Sequence, residues 1–260
     1  GKGVTTCSFF KYPNNNGIIY SSTHMDNPDC PSKPDFSKGY IWKLYPGFDI
    51  YEAGLSGSNP RPLTSSPGYD AEATYSFDGK KIIYTSLISG DLDLWYMNPD
   101  GSGKQQLTNR LGYDGGAFYS YDASRIVWRA YYPETEEEIV DYKSLLKENS
   151  IRPMALQIWT MNANGTNKKQ ITDNNSANFG PIYFPKADKI IFSSNMHDPK
   201  GRDFDLYSIN IDGTDLERIT YFEGFDGFPM FSPSGQYLVF SSNRNQNKRG
   251  DTNIFICEWK

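Results

Sequence analysis

The sequence predicts an all-β protein, a β-propeller of four-stranded antiparallel blades, and three observations carry that prediction. The stretch 73–108, ATYSFDGKKIIYTSLISGDLDLWYMNPDGSGKQQLT, reads as four short strands joined by turns rich in Asp, Asn and Gly. The same pattern returns along the chain at a spacing of about 44 residues, which is the length of a propeller blade. The turns into each fourth strand are near copies of one another: MNPDGSGKQQLT, MNANGTNKKQIT, INIDGTDLERIT and a looser AGLSGSNPRPLT. A plain β-sandwich would not repeat its turns so literally.

Each copy can be justified in order. The second strands GIIYSS, KIIYTS, RIVWRA, KIIFSS and YLVFSS are short apolar runs that end in small polar residues. The blades fall at 7–64, 73–108, 117–172, 181–220 and 229–258, in a single domain covering 1–260. Residues 1–6 align with an interblade linker, and the fifth copy ends after its third strand. The expectation is therefore a closing strand or a whole blade upstream, and six blades in the full protein. Two copies are stretched between their second and third strands. The first carries 23–47, rich in Pro and aromatics; the third carries 130–156. Within the latter, ETEEEIVDYKSLLKEN sets acids before lysines and spaces Ile139, Val140, Leu145 and Leu146 as a helix does.

Composition narrows the function classes. The 260 residues carry a formal charge of −5, which argues against a nucleic-acid surface. Cys7, Cys30 and Cys257 form no CxxC pair, so a zinc site built on cysteine is not expected; a Cys7–Cys30 disulfide and free buried thiols stay equally open. No run approaches the ~20 apolar residues of a membrane-spanning helix.

Blade topology sorts the connections into two sets. First-to-second and third-to-fourth turns lie on one side; second-to-third loops and interblade linkers lie on the other. The second set holds both insertions, and loops on a rigid scaffold carry function. There the linkers GYDAEA, GYDGGA, ANFGPI and GFDGFP place Asp70, Asp114, Asn178 and Asp226 at one equivalent position, with Glu72 nearby. These residues should ring the mouth of a central channel. They could hold a hard cation such as calcium, or cap their own linkers through backbone N–H groups. The ends of the second strands add His24, Arg129, Asn195, His197 and Arg244. No metal site, cofactor, GxSxG elbow or catalytic set is expected from these residues.

The blade motif, strand-DGK-I-[IV]-[FY]-S followed by [LW]-Y-M-N-x-DG and a closing LT, resembles the TolB-like propeller repeats of bacterial envelope proteins. GYDAEA, GYDGG, ANFGP, HDPKGRDFDLY and GFDGFPMFSP are similar to stand-alone members of that family. The resemblance implies an exported, non-enzymatic propeller, periplasmic or at the cell surface, that binds a protein partner. The first copy departs from it, with Asn14-Asn15-Asn16-Gly17 in place of the Asp-Gly turn. Similar repeats build the propellers of prolyl oligopeptidase-like enzymes and of an oligogalacturonate lyase. The hydrolase domain of the former and the histidine set of the latter are missing from this sequence. Two readings follow. A scaffold would present an apolar-aromatic patch near Tyr40, Trp42, Tyr45, Tyr131 and Tyr132. An enzyme or glycan binder would gather Asp70, Glu72, Asp114, Arg129, His197 and Arg244 into a deep pocket.

Overall fold

The computed structural model describes residues 2–32, 34–153, 155–199 and 201–260. It is an all-β, five-blade propeller with one short α-helix. The blades comprise, in order from the innermost strand, Thr5–Phe10, Gly17–Ser22, Asp49–Gly54 and Arg61–Pro62; Asp70–Tyr75, Ile82–Ser86, Asp93–Met97 and Gln105–Gln106; Tyr113–Tyr119, Arg125–Tyr131, Gln157–Asn162 and Lys169–Gln170; Asn178–Tyr183, Lys189–Ser194, Asp205–Asn210 and Glu217–Arg218; and Asp226–Phe231, Tyr237–Ser242 and Asn253–Glu258. The fifth sheet has three strands among the described residues, and its last strand leaves Ile254 and Ile256 exposed. The chain forms two compact units, 1–117 with 130–153, and 118–129 with 154–260.

Alternating apolar residues put the cores between successive blades. In the first unit Ile19, Ile50, Leu63, Tyr75, Ile82 and Met97 pack together across blades one and two. In the second unit Val127, Ile158, Tyr183, Ile190, Phe192 and Ile209 do the same across blades three and four.

The innermost strands begin earlier than their sequences suggest. Asp70, Asn178 and Asp226 are the first residues of strands and Asp114 the second, not linker residues preceding them. The reason is a bulge two residues in. Register breaks between Thr6 and Phe9, Ala71 and Thr74, Phe179 and Ile182, and Gly227 and Met230. Cys7, Glu72, Gly180 and Phe228 at the third position, and Gly116 at the fourth, share a left-handed φ of 53–58°. Bulges tolerate Gly and Pro inside a strand, so Gly180-Pro181 and Phe228-Pro229 read from sequence as a linker.

The fourth strands are two residues long, and what fastens them is the Thr that follows. Thr64, Thr108, Thr172 and Thr220 each accept a third-strand N–H at Oγ1, from Ile50 (2.9 Å), Leu94 (2.8 Å), Ile158 (2.8 Å) and Leu206 (2.9 Å). Each hydroxyl then donates to the first residue of that third strand: Asp49 (2.9 Å), Asp93 (3.3 Å), Gln157 (2.9 Å) and Asp205 (3.0 Å). This is why every fourth strand closes on LT or IT.

The third-blade insertion holds the predicted helix, α1, at Glu136–Lys147. Thr135 Oγ1 accepts the Glu138 N–H and Glu138 returns a carboxylate to the Thr135 N–H, a complete capping box. The buried residues are Tyr142 and Leu145, whereas Val140 faces solvent. The difference has a physical cause: Tyr142 docks by its hydroxyl, donating to Asp91 at 2.5 Å, and that bond sets the face. The two insertions also meet directly. Trp42–Lys43 pairs antiparallel with Ser150–Ile151, so one small sheet joins them.

Thr172→Val keeps the shape of the side chain but removes both of its hydrogen bonds and strands the buried Ile158 N–H. It should lower the unfolding free energy by about 1–3 kcal/mol, read from urea denaturation.

Candidate functional site on the insertion-bearing side

In the first unit the insertions are built from the residues expected to form a partner surface. Tyr40 is 61% exposed and accepts the Trp42 indole N–H at 3.2 Å. Trp42 packs edge-on against Tyr113, with ring centroids 6.0 Å apart. Tyr45 donates its hydroxyl to the Ser32 carbonyl at 2.8 Å and leans on Phe48. Tyr132 donates to Asp114 Oδ1 at 2.6 Å beneath the Arg110 guanidinium, which lies 4.3 Å from its ring centre. Tyr131 is half-buried; burial raises its hydroxyl pKa, and Glu138 and Asp141 add to the effect. Trp42, Tyr45 and Tyr132 therefore fasten the insertions down, and Tyr40 is the one that stands out. Around them Lys38 pairs with Glu148 (2.6 Å) and Arg152 with Asp141 (3.1 Å), and the Arg152 Nη1 donates to the Lys38 carbonyl (2.8 Å).

The acids at the starts of the inner strands work as partners of a neighbouring blade. Their backbone N–H groups donate across the junction: Asp70 to Phe48 (2.9 Å), Asp114 to Leu92 (2.9 Å), Asn178 to Leu156 (3.1 Å) and Asp226 to Phe204 (2.7 Å). Each acceptor immediately precedes a third strand. The junctions therefore couple Asp49 with Asp70, Asp93 with Asp114, Gln157 with Asn178, and Asp205 with Asp226.

Charge is handled differently at each junction. Between Gln157 and Asn178 there is no charge, and the Asn178 amide donates to Gln157 Oε1 at 3.4 Å. At the next junction Arg218 binds Asp205 and Arg244 binds Asp226. Arg244 is itself sandwiched by Phe222, Phe240 and Phe255, 5.0–5.5 Å from their ring centres. In the first unit hydroxyls do the work. Burial raises the Asp70 carboxyl against the hydrogen bonds of Ser86, Thr64 and Ser66. Burial likewise pushes Asp49 up to about 6, opposed by Thr64 and helped by the charges of Asp70 and Asp26.

The linkers are capped, but by other acids. Asp91 Oδ2 accepts the Gly112 N–H (2.9 Å) and Asp203 Oδ1 the Gly224 N–H (2.8 Å). Asn195 and Asn243, at the ends of second strands, accept from Ala177 and Phe225, both at 2.9 Å. Glu72 Oε2 turns inward to accept from Tyr113 (3.0 Å), Gly116 N (3.0 Å) and Thr85 (3.1 Å). His24 lies edge-on to Tyr51 at 4.5 Å, and Arg129 is buried in its strand. His197 sits between Asp203 (3.1 Å) and Asp205 (3.4 Å). Sequence reading missed Asp49, Asp91, Asp93, Asp203, Asp205 and Tyr142. Alignment of the third-strand starts would have found the two acids that repeat in blades two and four.

The three cysteines are free and exposed. A recess of about 260 Å³ opens on the short-turn side, lined by Lys11, Asn16, Glu52, Ser58 and Arg61. Glu52 there is bound by Lys11, by Tyr75 (2.8 Å) and by Arg61 (3.4 Å). No helix among the described residues is long and apolar enough to cross a membrane.

Solved structures match along nearly the full chain. A putative TolB from Agrobacterium tumefaciens is 17% identical over 98% of this chain and 77% of its own, with a TM-score of 0.66. TolB from Acinetobacter baumannii is 15% identical over 93% and 63%, at 0.63. The fold is that of a TolB-like propeller. An acylaminoacyl peptidase in complex with Z-Gly-Gly-Phe-chloromethyl ketone is 12% identical over 100% of this chain but 39% of its own, at 0.58. No protein-family profile and no curated protein matches the sequence.

Asp49 releases its proton near 3.8 when unfolded and near 6 in the TolB-like propeller. Between those values the folded state binds the extra proton, so the stability this group lends is fully present below 3.8, declines as pH rises from there and is gone above about 6. Urea midpoints of the wild type, relative to Asp49→Asn, should fall as pH rises through that window.

Proposed function

We propose that this chain is a non-enzymatic binding scaffold of the bacterial envelope, periplasmic or at the cell surface, and that it engages a protein partner through the insertion-bearing side. The observation that carries the reading is the strand pair Trp42–Lys43 with Ser150–Ile151. It welds two insertions distant in sequence into one preorganised surface, and preorganisation cuts the entropy cost of docking. Tyr40 and Val140 are exposed on these insertions, and aromatic anchors on a rigid base are the usual hot spots of protein interfaces. The polar residues argue the same way. Glu72, Asp114, Asn178 and Asp226 each spend at least one side-chain bond on the fold, to Tyr113, Tyr132, Ser194 and Arg244 in turn. Likeness to TolB supports the reading. The peptidase likeness does not oppose it, because most of that enzyme's length lies outside the match.

Native co-purification followed by mass spectrometry tests the proposal. Tyr40→Ala combined with Trp42→Ala should weaken capture of the partner at least tenfold, as loss of a hot spot does at about 2 kcal/mol. Arg61→Ala, on the short-turn side, should leave capture unchanged. A partner retained by the double variant and lost with Arg61→Ala would place the interface on the opposite side.

A further inference from the structure

The loop between the second and third strands of blade four departs from its counterpart in blade two in a way that points to a metal ion. In both blades an acid caps the linker glycine (Asp91, Asp203) and a second acid, two residues on, starts the third strand (Asp93, Asp205). Those paired acids are therefore part of the fold and signal no ligand. What differs is the residue facing them. In blade two Ser89 donates to Asp93 Oδ2 at 2.6 Å and Gln106 to the same oxygen at 2.9 Å, which satisfies it with neutral groups. In blade four that place is taken by His197, an N-donor ligand.

We infer that His197 Nε2, Asp203 Oδ2 and Asp205 Oδ2 form a binding site for a divalent transition metal of the zinc class. The three atoms lie within 4.8 Å of one another. His197 Nε2 is 3.1 Å from Asp203 Oδ2 and 3.4 Å from Asp205 Oδ2. Bonds of ~2.0–2.1 Å at tetrahedral angles put ligand atoms roughly 3.3 Å apart, so these separations suit a shared ion. One imidazole with two carboxylates is a donor set suited to zinc or manganese more than to calcium, which takes only oxygen.

Every ligand is also held from behind. The Tyr207 hydroxyl meets His197 Nδ1 at 3.0 Å, the Gly224 N–H holds Asp203 Oδ1 at 2.8 Å, and the Thr220 hydroxyl holds Asp205 Oδ1 at 3.0 Å. Such outer partners fix ring orientation and leave the inner atoms pointing together. The His197 side chain is 19% exposed and Asp203 24%, which gives the ion an entry path, whereas Asp205 is fully buried. Three protein ligands leave a fourth position open to water or to a donor from a bound partner.

One group opposes the ion. Arg218 donates to Asp205 Oδ2 through Nε at 2.8 Å and through Nη2. These two N–H groups take both lone-pair directions of that oxygen, so the guanidinium must give up one bond for an ion to bind, and its positive charge weakens metal affinity further. Blade two carries Gln106 at this position, and that neutral residue shows what the fold accepts there.

Isothermal titration of the full chain with zinc alone, its cysteines alkylated beforehand, tests the site. One equivalent should bind saturably, with affinity falling at least tenfold in His197→Gln and rising several-fold in Arg218→Gln. Cobalt should give a d–d absorption band without thiolate charge transfer, and the band should vanish in His197→Gln. Circular dichroism establishes that each variant is folded. Absence of saturable binding in both the wild type and Arg218→Gln, or binding that His197→Gln leaves intact, overturns the assignment.

Discussion

A backbone N–H near the start of each third strand, those of Ile50, Leu94, Ile158 and Leu206, has to find an acceptor inside the protein, because the residue is buried. A fourth strand only two residues long cannot supply it from its own ladder. The Thr that ends the strand does so with its hydroxyl, then passes its own proton to the side chain that opens the third strand. Backbone, hydroxyl and carboxylate or amide are satisfied in one relay, which closes the outer edge of four blades.

That relay fixes where charge must sit, and the junctions between blades follow from it. The opening side chain of a third strand lies beside the first residue of the next inner strand, so two acids are readily forced together under burial. Such pairs are costly unless compensated. This chain compensates in three ways. Gln157 and Asn178 remove the charge; Arg218 and Arg244 neutralise it; hydroxyls and a raised carboxyl pKa serve Asp49 and Asp70. The repeat is thus less uniform in chemistry than in shape. Its chemical departures mark the places with room for a role beyond folding, and His197 is the clearest of them.

The insertions use the same scaffold for another purpose. Tyr142 reaches Asp91 and Tyr132 reaches Asp114, so a helix and a long loop are tied to acids that the blades already hold in place. A surface anchored in this way can present Tyr40 at little conformational cost. A scaffold function needs that rigidity more than it needs a cavity.

Sequence alone determined the architecture. Asp-Gly turns, alternating apolar runs and the closing LT are local signals, and their repetition made five blades legible with the helix and the insertion-bearing side. Asp70, Asp114, Asn178 and Asp226 were also rightly aligned with one another, because repeats keep register. Only the tertiary structure decided what those residues do. The bulge that makes them strand residues depends on a left-handed φ shared by Cys7, Glu72 and Phe228, which no residue type there announces. The partners they meet, Thr64 across six residues and Tyr132 across eighteen, come together through strand pairing and loop docking. The meeting of Trp42 with Ile151 is set by two insertions folding onto each other, and no local pattern in either one encodes the other.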